Sequence, residues 1–103
     1  MNSYISTQII LLTFLTTATQ KSTIIWRKEY GLFETTVTDE RFTLKVDEKK
    51  QMVGLYDKNV TIIEFYCRDN ELSKYLEILI PNIKLQLKNP YSILQYVIKS
   101  INT

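Results

Sequence analysis

Cys67, in the run Tyr66-Cys67-Arg68-Asp69, is the chain's only thiol and, by type, its most reactive side chain. Arg68 beside it favours the thiolate, and Asp69 is placed to orient a partner. The 103 residues contain no histidine, however, so the usual activating base is missing. An inert, buried cysteine is the simpler reading. The same absence removes serine or cysteine nucleophile pairs with histidine and every Cys/His zinc site. With only two glycines, Gly31 and Gly54, there is no glycine-rich phosphate loop.

The carboxylates offer little more. Asp39-Glu40 and Asp47-Glu48 are adjacent pairs in polar turns, where neighbouring side chains diverge. Two-metal hydrolysis and glycoside cleavage both need carboxylates that converge across a cleft. Glu34 and Glu64 fall on strands, and the alternation predicts cross-strand charge pairs with Lys28, Arg41 and Lys45. No catalytic trio and no metal set can be assembled, and no cofactor is implied.

Aromatic and basic residues are the better lead. The chain has seven tyrosines and one tryptophan. Trp26, Tyr30, Phe33, Tyr56 and Tyr66 interleave with Arg27 and Arg41, a mixture typical of protein-interface hot spots. The same chemistry stacks single-stranded nucleic acid. Beyond Glu77, Lys84, Lys88 and Lys99 have no acidic neighbour in sequence and are the candidate phosphate contacts. Against that use, net charge is only +2, spread evenly between the two halves of the chain.

The elements that must position these residues follow from periodicity. Over residues 4–19, Tyr4, Gln8, Leu11, Leu15 and Ala18 recur at helical intervals, with Ile5, Ile9, Leu12 and Phe14 widening the stripe. Asn2 or Ser3 is the expected cap. No Lys or Arg precedes Lys21, so this apolar run lacks the charged lead of a secretion signal and reads as a packed helix. Its threonines disfavour an isolated helix, so burial must hold it.

Residues 23–29 and 32–38 read as strands around a Tyr30-Gly31 turn, followed by residues 41–47, 51–56 and 60–66. Gly54 within a strand marks a bulge or a close approach. Asp69 or Asn70 caps a helix carrying Leu72, Tyr75, Leu76 and Leu79, which Pro81 should end. Residues 83–88 alternate like a short edge strand, with a continued kinked helix as the competing reading. Asn89-Pro90 then starts a helix striped by Tyr91, Leu94, Val97, Ile98 and Ile101.

The expectation is a single α+β domain over residues 1–103: an N-terminal helix, an antiparallel β-meander of four to five strands, and two C-terminal helices packed on one sheet face. With 45% hydrophobic residues it needs no disulfide to form a core, and one cysteine fits a cytoplasmic protein. The composition, rich in Ile, Asn, Lys and Tyr, fits an AT-rich bacterial or phage genome. A non-enzymatic protein-binding module is expected, of accessory, inhibitor or immunity-like type. Its partner is another protein or a second copy in a homodimer, and no membrane is involved. The alternatives are a nucleic-acid-binding protein using the aromatic and basic sheet face, and a small-ligand binder or histidine-free enzyme.

Overall fold

The computed structural model describes residues 3–102, so a capping role for Asn2 lies outside the described residues. Helix α1 (Ser3–Gln20) leads into strands β1 (Arg27–Glu29), β2 (Leu32–Val37), β3 (Phe42–Asp47), β4 (Met52–Asp57) and β5 (Val60–Tyr66). Helices α2 (Ser73–Lys88) and α3 (Tyr91–Ile101) complete the α+β chain. The five strands form one antiparallel sheet in sequence order, β1-β2-β3-β4-β5. Short turns suffice for such a meander because every connection joins neighbouring strands.

Alternation along the strands separates the two sheet faces. The registers Phe33↔Val46↔Val53↔Phe65 and Thr35↔Leu44↔Leu55↔Ile63 place eight side chains on the inner face. Leu12, Leu15 and Ala18 of α1 join Leu76, Leu79 and Ile83 of α2 in the same buried core. One face is therefore covered, and the other faces solvent. No helix among the described residues is long and apolar enough to cross a membrane.

Helix α1 closes with two bonds, Thr23 N–H to the Ala18 carbonyl at 3.0 Å and Ser22 N–H to that of Thr19 at 3.2 Å. This is the Schellman arrangement, which needs a left-handed residue and usually takes glycine. Here Ser22 adopts φ 56°, and its hydroxyl bonds Gln95 of α3 at 3.2 Å. Glycine at this position would lose that anchor.

The first strand is shorter than the composition of residues 23–29 suggests. Residues 23–26 leave the sheet because their backbone is bonded elsewhere. The Gln86 side chain of α2 accepts from Trp26 N–H at 2.9 Å and donates to the Ile24 carbonyl at 2.9 Å. It reaches the Thr19 carbonyl at 3.3 Å as well. Thr19 in turn accepts from the Trp26 indole at 2.8 Å and donates to the Leu15 carbonyl at 2.6 Å. One buried amide thus ties together α1, α2 and the link to the sheet. A buried backbone group needs some partner, and a side chain serves as well as a ladder.

Residues 83–88 are helical, not an edge strand. Helix α2 runs through Pro81, and the side-chain amide of Asn82 donates to the Ile78 carbonyl at 2.8 Å beside the missing N–H. The residues buried here are Leu79, Ile80, Ile83 and Gln86, the helical continuation of Leu72 and Leu76. Leu85 and Leu87, the inside of the expected strand, are exposed. Burial at helical spacing outweighs the local cost of one proline. The expected cap at Asn89 is present: its side chain accepts from Tyr91 N–H at 3.0 Å.

Candidate binding surface

The seven aromatic and basic residues singled out in the sequence do not form one patch. Trp26 and Phe33 are 2% and 1% exposed and belong to the core. Phe33 points inward with Val46, and the Trp26 indole is consumed by Thr19. Tyr30 sits at the tip of the β1–β2 hairpin, 99% exposed, with φ 51° beside Gly31 at φ 79°. Two successive left-handed residues make the tight turn that suits a two-residue hairpin. Arg41 lies at the opposite end of the sheet, paired with Asp57 at 3.2 Å and stacked beside Phe42.

Arg27, Tyr56 and Tyr66 share the outer sheet face. Across it runs the register Arg27↔Glu34↔Lys45↔Gly54↔Glu64, a row of alternating charge interrupted by one glycine. Arg27 pairs with Glu34 at 2.8 Å, Lys45 lies 5.2 Å over the Tyr56 ring, and the Tyr56 hydroxyl donates to Glu64 at 2.5 Å. A Cβ at Gly54 would sit 2.6 Å from Cζ of Tyr56, so glycine is what lets the ring lie across the row. Of the cross-strand charge pairs expected for Glu34 and Glu64 with Lys28, Arg41 and Lys45, only Glu34 makes one, and with Arg27 as cation; Glu64 takes the Tyr56 hydroxyl instead. Lys28 falls on the other parity and lies 5.6 Å over Phe33. Burial, with a smaller contribution from Glu64, pushes the Tyr56 phenol from 10.0 up to about 12. Tyr56 is thus engaged within the row, and Tyr66 is left as an exposed ring on this face.

The three candidate phosphate lysines are largely engaged. Lys84 pairs with Glu48 at 2.7 Å, an acid brought from a distant turn. The Lys99 ammonium donates to the Lys21 carbonyl. Lys88 stands exposed at the end of α2. A separate shallow cleft of about 540 Å³ brings Lys49, Lys50 and Arg68 beside Tyr66 and Asp69. Arg68 is held there by the Lys49 carbonyl at 2.8 Å and by Gln51 at 3.3 Å.

Cys67 is fully buried, and burial pushes its thiol from 9.0 up to about 11. Its burial is what the simpler reading expects. Among the described residues no three potential ligands gather to hold a metal.

An open groove of about 860 Å³ lies between α1, α3 and the β2–β3 end of the sheet. Leu15, Ile24, Val37, Leu44 and Leu55 line it, with Phe14 and Tyr96 also on its wall and Asp39 and Glu40 bordering it. Thr38, Asp39 and Glu40 all have φ between 54° and 68°. Three non-glycine residues in the left-handed region make this acidic turn a strained one.

Beside the groove, α3 is attached by its polar edge. Ser92 is its only buried residue, Gln95 bonds Ser22, and Lys99 bonds the Lys21 carbonyl. Ser92 and Gln95 line a small polar crevice with Thr19, Ser22, Asn82 and Gln86. At about 100° per residue the opposite side of the helix carries Tyr91, Ile93, Leu94, Val97, Ile98 and Ile101. All six are exposed, Ile101 by 76%. An amphipathic helix normally turns its apolar side to the core; this one is inverted. The sequence showed the stripe but not its direction. The complementary spacing of Ser92, Gln95 and Lys99 makes a second, polar stripe able to dock, which leaves either orientation open to the sequence.

No family model matches the chain, and neither curated proteins nor solved structures give a significant match.

Proposed function

We propose that the protein is a non-enzymatic protein-binding module whose contact surface is the outward side of α3 together with the groove beside it. The observation that carries this reading is the inversion of α3. Six large apolar side chains face water, while Gln95 and Lys99 bond the helix to the chain after α1 and Ser92 is buried beneath it. A contiguous apolar patch larger than a few hundred Å² is the usual mark of an interaction surface. Tyr91 and Tyr96 add the amphipathic rings favoured at hot spots. Such a module acts by occupying a partner, in the manner of an accessory, inhibitor or immunity-like protein. A single buried cysteine suits a cytoplasmic setting.

The test is retention of a partner by immobilised wild-type chain compared with Leu94→Lys/Ile98→Lys and, as a control surface, Arg27→Ala/Tyr66→Ala. A stoichiometric partner lost only from the α3 variant supports the reading. Equal retention by all three chains, or none by the wild type, refutes it.

The cleft of Lys49, Lys50, Arg68 and Tyr66 favours a second reading, nucleic-acid binding, because it places three cations beside an exposed ring. Retention of oligonucleotides that falls steeply with salt, and falls further on Arg68→Ala, would support it. Salt-independent retention would count against it.

A further inference from the structure

From the outward side of α3 we infer its occupant, a second copy of the same chain, with the two α3 helices packed antiparallel about a two-fold axis. The inference rests on the binding-module reading and names the partner of that surface.

The face is self-complementary in charge. Helix α3 contains one charged residue, Lys99, which lies on the inward edge with its ammonium bonded to the Lys21 carbonyl. Nothing charged stands among Tyr91, Ile93, Leu94, Val97, Ile98 and Ile101, so two copies of this face meet without like-charge repulsion. A partner carrying charged groups would desolvate them there with no counter-charge. Isologous pairing asks only that a surface fit itself, and a neutral apolar stripe meets that condition.

The area is sufficient. With each half-exposed aliphatic presenting about 100 Å² and each tyrosine about 150 Å², the six outward side chains offer roughly 650 Å² per copy. That falls at the low end of the roughly 600–1,000 Å² per partner of standard stable interfaces. The spacing fits as well. Leu94, Val97, Ile98 and Ile101 follow the three-and-four rhythm by which the ridges of one helix enter the grooves of another. In a helix running Tyr91–Ile101, Val97 and Ile98 lie near the middle, hence near the axis.

Sedimentation velocity on the full chain from 1 to 200 µM, with two sets of variants, tests the pairing. Wild type is expected at twice the chain mass. Leu94→Lys/Ile98→Lys should weaken association at least a hundredfold with unchanged far-UV circular dichroism. Should the lysines disturb folding, the milder Leu94→Gln/Ile98→Gln is used and should weaken it at least tenfold. Under mild oxidation with diamide, Val97→Cys should give an interchain disulfide and Gln95→Cys, on the inward edge, should not; Cys67 is buried and stays silent. A chain that is monomeric throughout, a dimer indifferent to the α3 variants, or equal cross-linking at 95 and 97 overturns the inference. A monomer whose α3 still retains a foreign protein overturns the second copy alone. A monomer that retains nothing overturns the binding-module reading too.

Discussion

Gln86 is the residue on which the link between helices and sheet depends, and Gln86→Met isolates its role. Methionine keeps the length and unbranched shape of glutamine, so the change removes hydrogen bonds while opening little space. Three bonds are lost, to Trp26 N–H, the Ile24 carbonyl and the Thr19 carbonyl. The Thr19 carbonyl keeps Ser22 N–H as partner at 3.2 Å. Two buried backbone groups therefore lose their partner, each at about 1–3 kcal/mol. Burying the apolar thioether in place of the amide recovers about 1 kcal/mol. The expected net loss is roughly 1–5 kcal/mol, centred near 3, a substantial part of the ~5–15 kcal/mol that holds a domain of this size. Urea denaturation followed by fluorescence is the assay, because the only tryptophan sits inside the network. At a slope of about 1.5–2 kcal/mol/M, a loss of 3 kcal/mol lowers the midpoint by roughly 1.5–2 M. The slope itself should not change. A midpoint shift below about 0.5 M would refute the idea that one side chain replaces the missing strand pairing of residues 23–26.

Two further predictions concern protons. The Tyr56 phenol, raised from 10.0 to about 12, stays neutral in the folded protein where it would ionise in the unfolded chain. Its contribution to stability is complete below pH 10 and disappears as pH rises through about 12. An absorbance titration should show a tyrosine component near pH 12 that moves only part of the way down in Glu64→Gln, because burial is the larger cause. A titration with no such late component refutes the geometry at Gly54. Cys67, raised from 9.0 to about 11 by burial, should resist a thiol reagent at pH 8 and react at once in denaturant. Its stability contribution is likewise present below pH 9 and lost as pH rises through about 11. Rapid labelling of the native protein would mean that the β5–α2 junction opens.

Much of the surface reading turned on where partners come from. Glu48 and Lys84 are 36 residues apart and meet across a turn and a helix, which no local pattern displays. Trp26 and Phe33 have interface-like identities, yet one lies on the covered sheet face and the other is trapped by Thr19. Residue type alone does not say which side of a sheet the helices will choose. For Tyr56 the presence of Gly54 two residues earlier was a usable clue, because glycine in a strand leaves room for a neighbouring ring.

The sequence by itself determined the element order, the hairpin at Tyr30-Gly31, the helix start at Asn89 and the absence of histidine-based chemistry. Those features depend on backbone preference, short-range periodicity and the absence of histidine. Only the tertiary structure decided that residues 83–88 are helical, that Gln86 is buried in place of Leu85, and that α3 turns its apolar side outward. Each of those outcomes compares two ways of burying the same segment. The deciding bonds, Gln86 to Trp26 and Gln95 to Ser22, join residues 60 and 73 positions apart. Interactions at that separation exist only once the chain has folded, so local sequence carries the components of α3's inverted face but not its orientation.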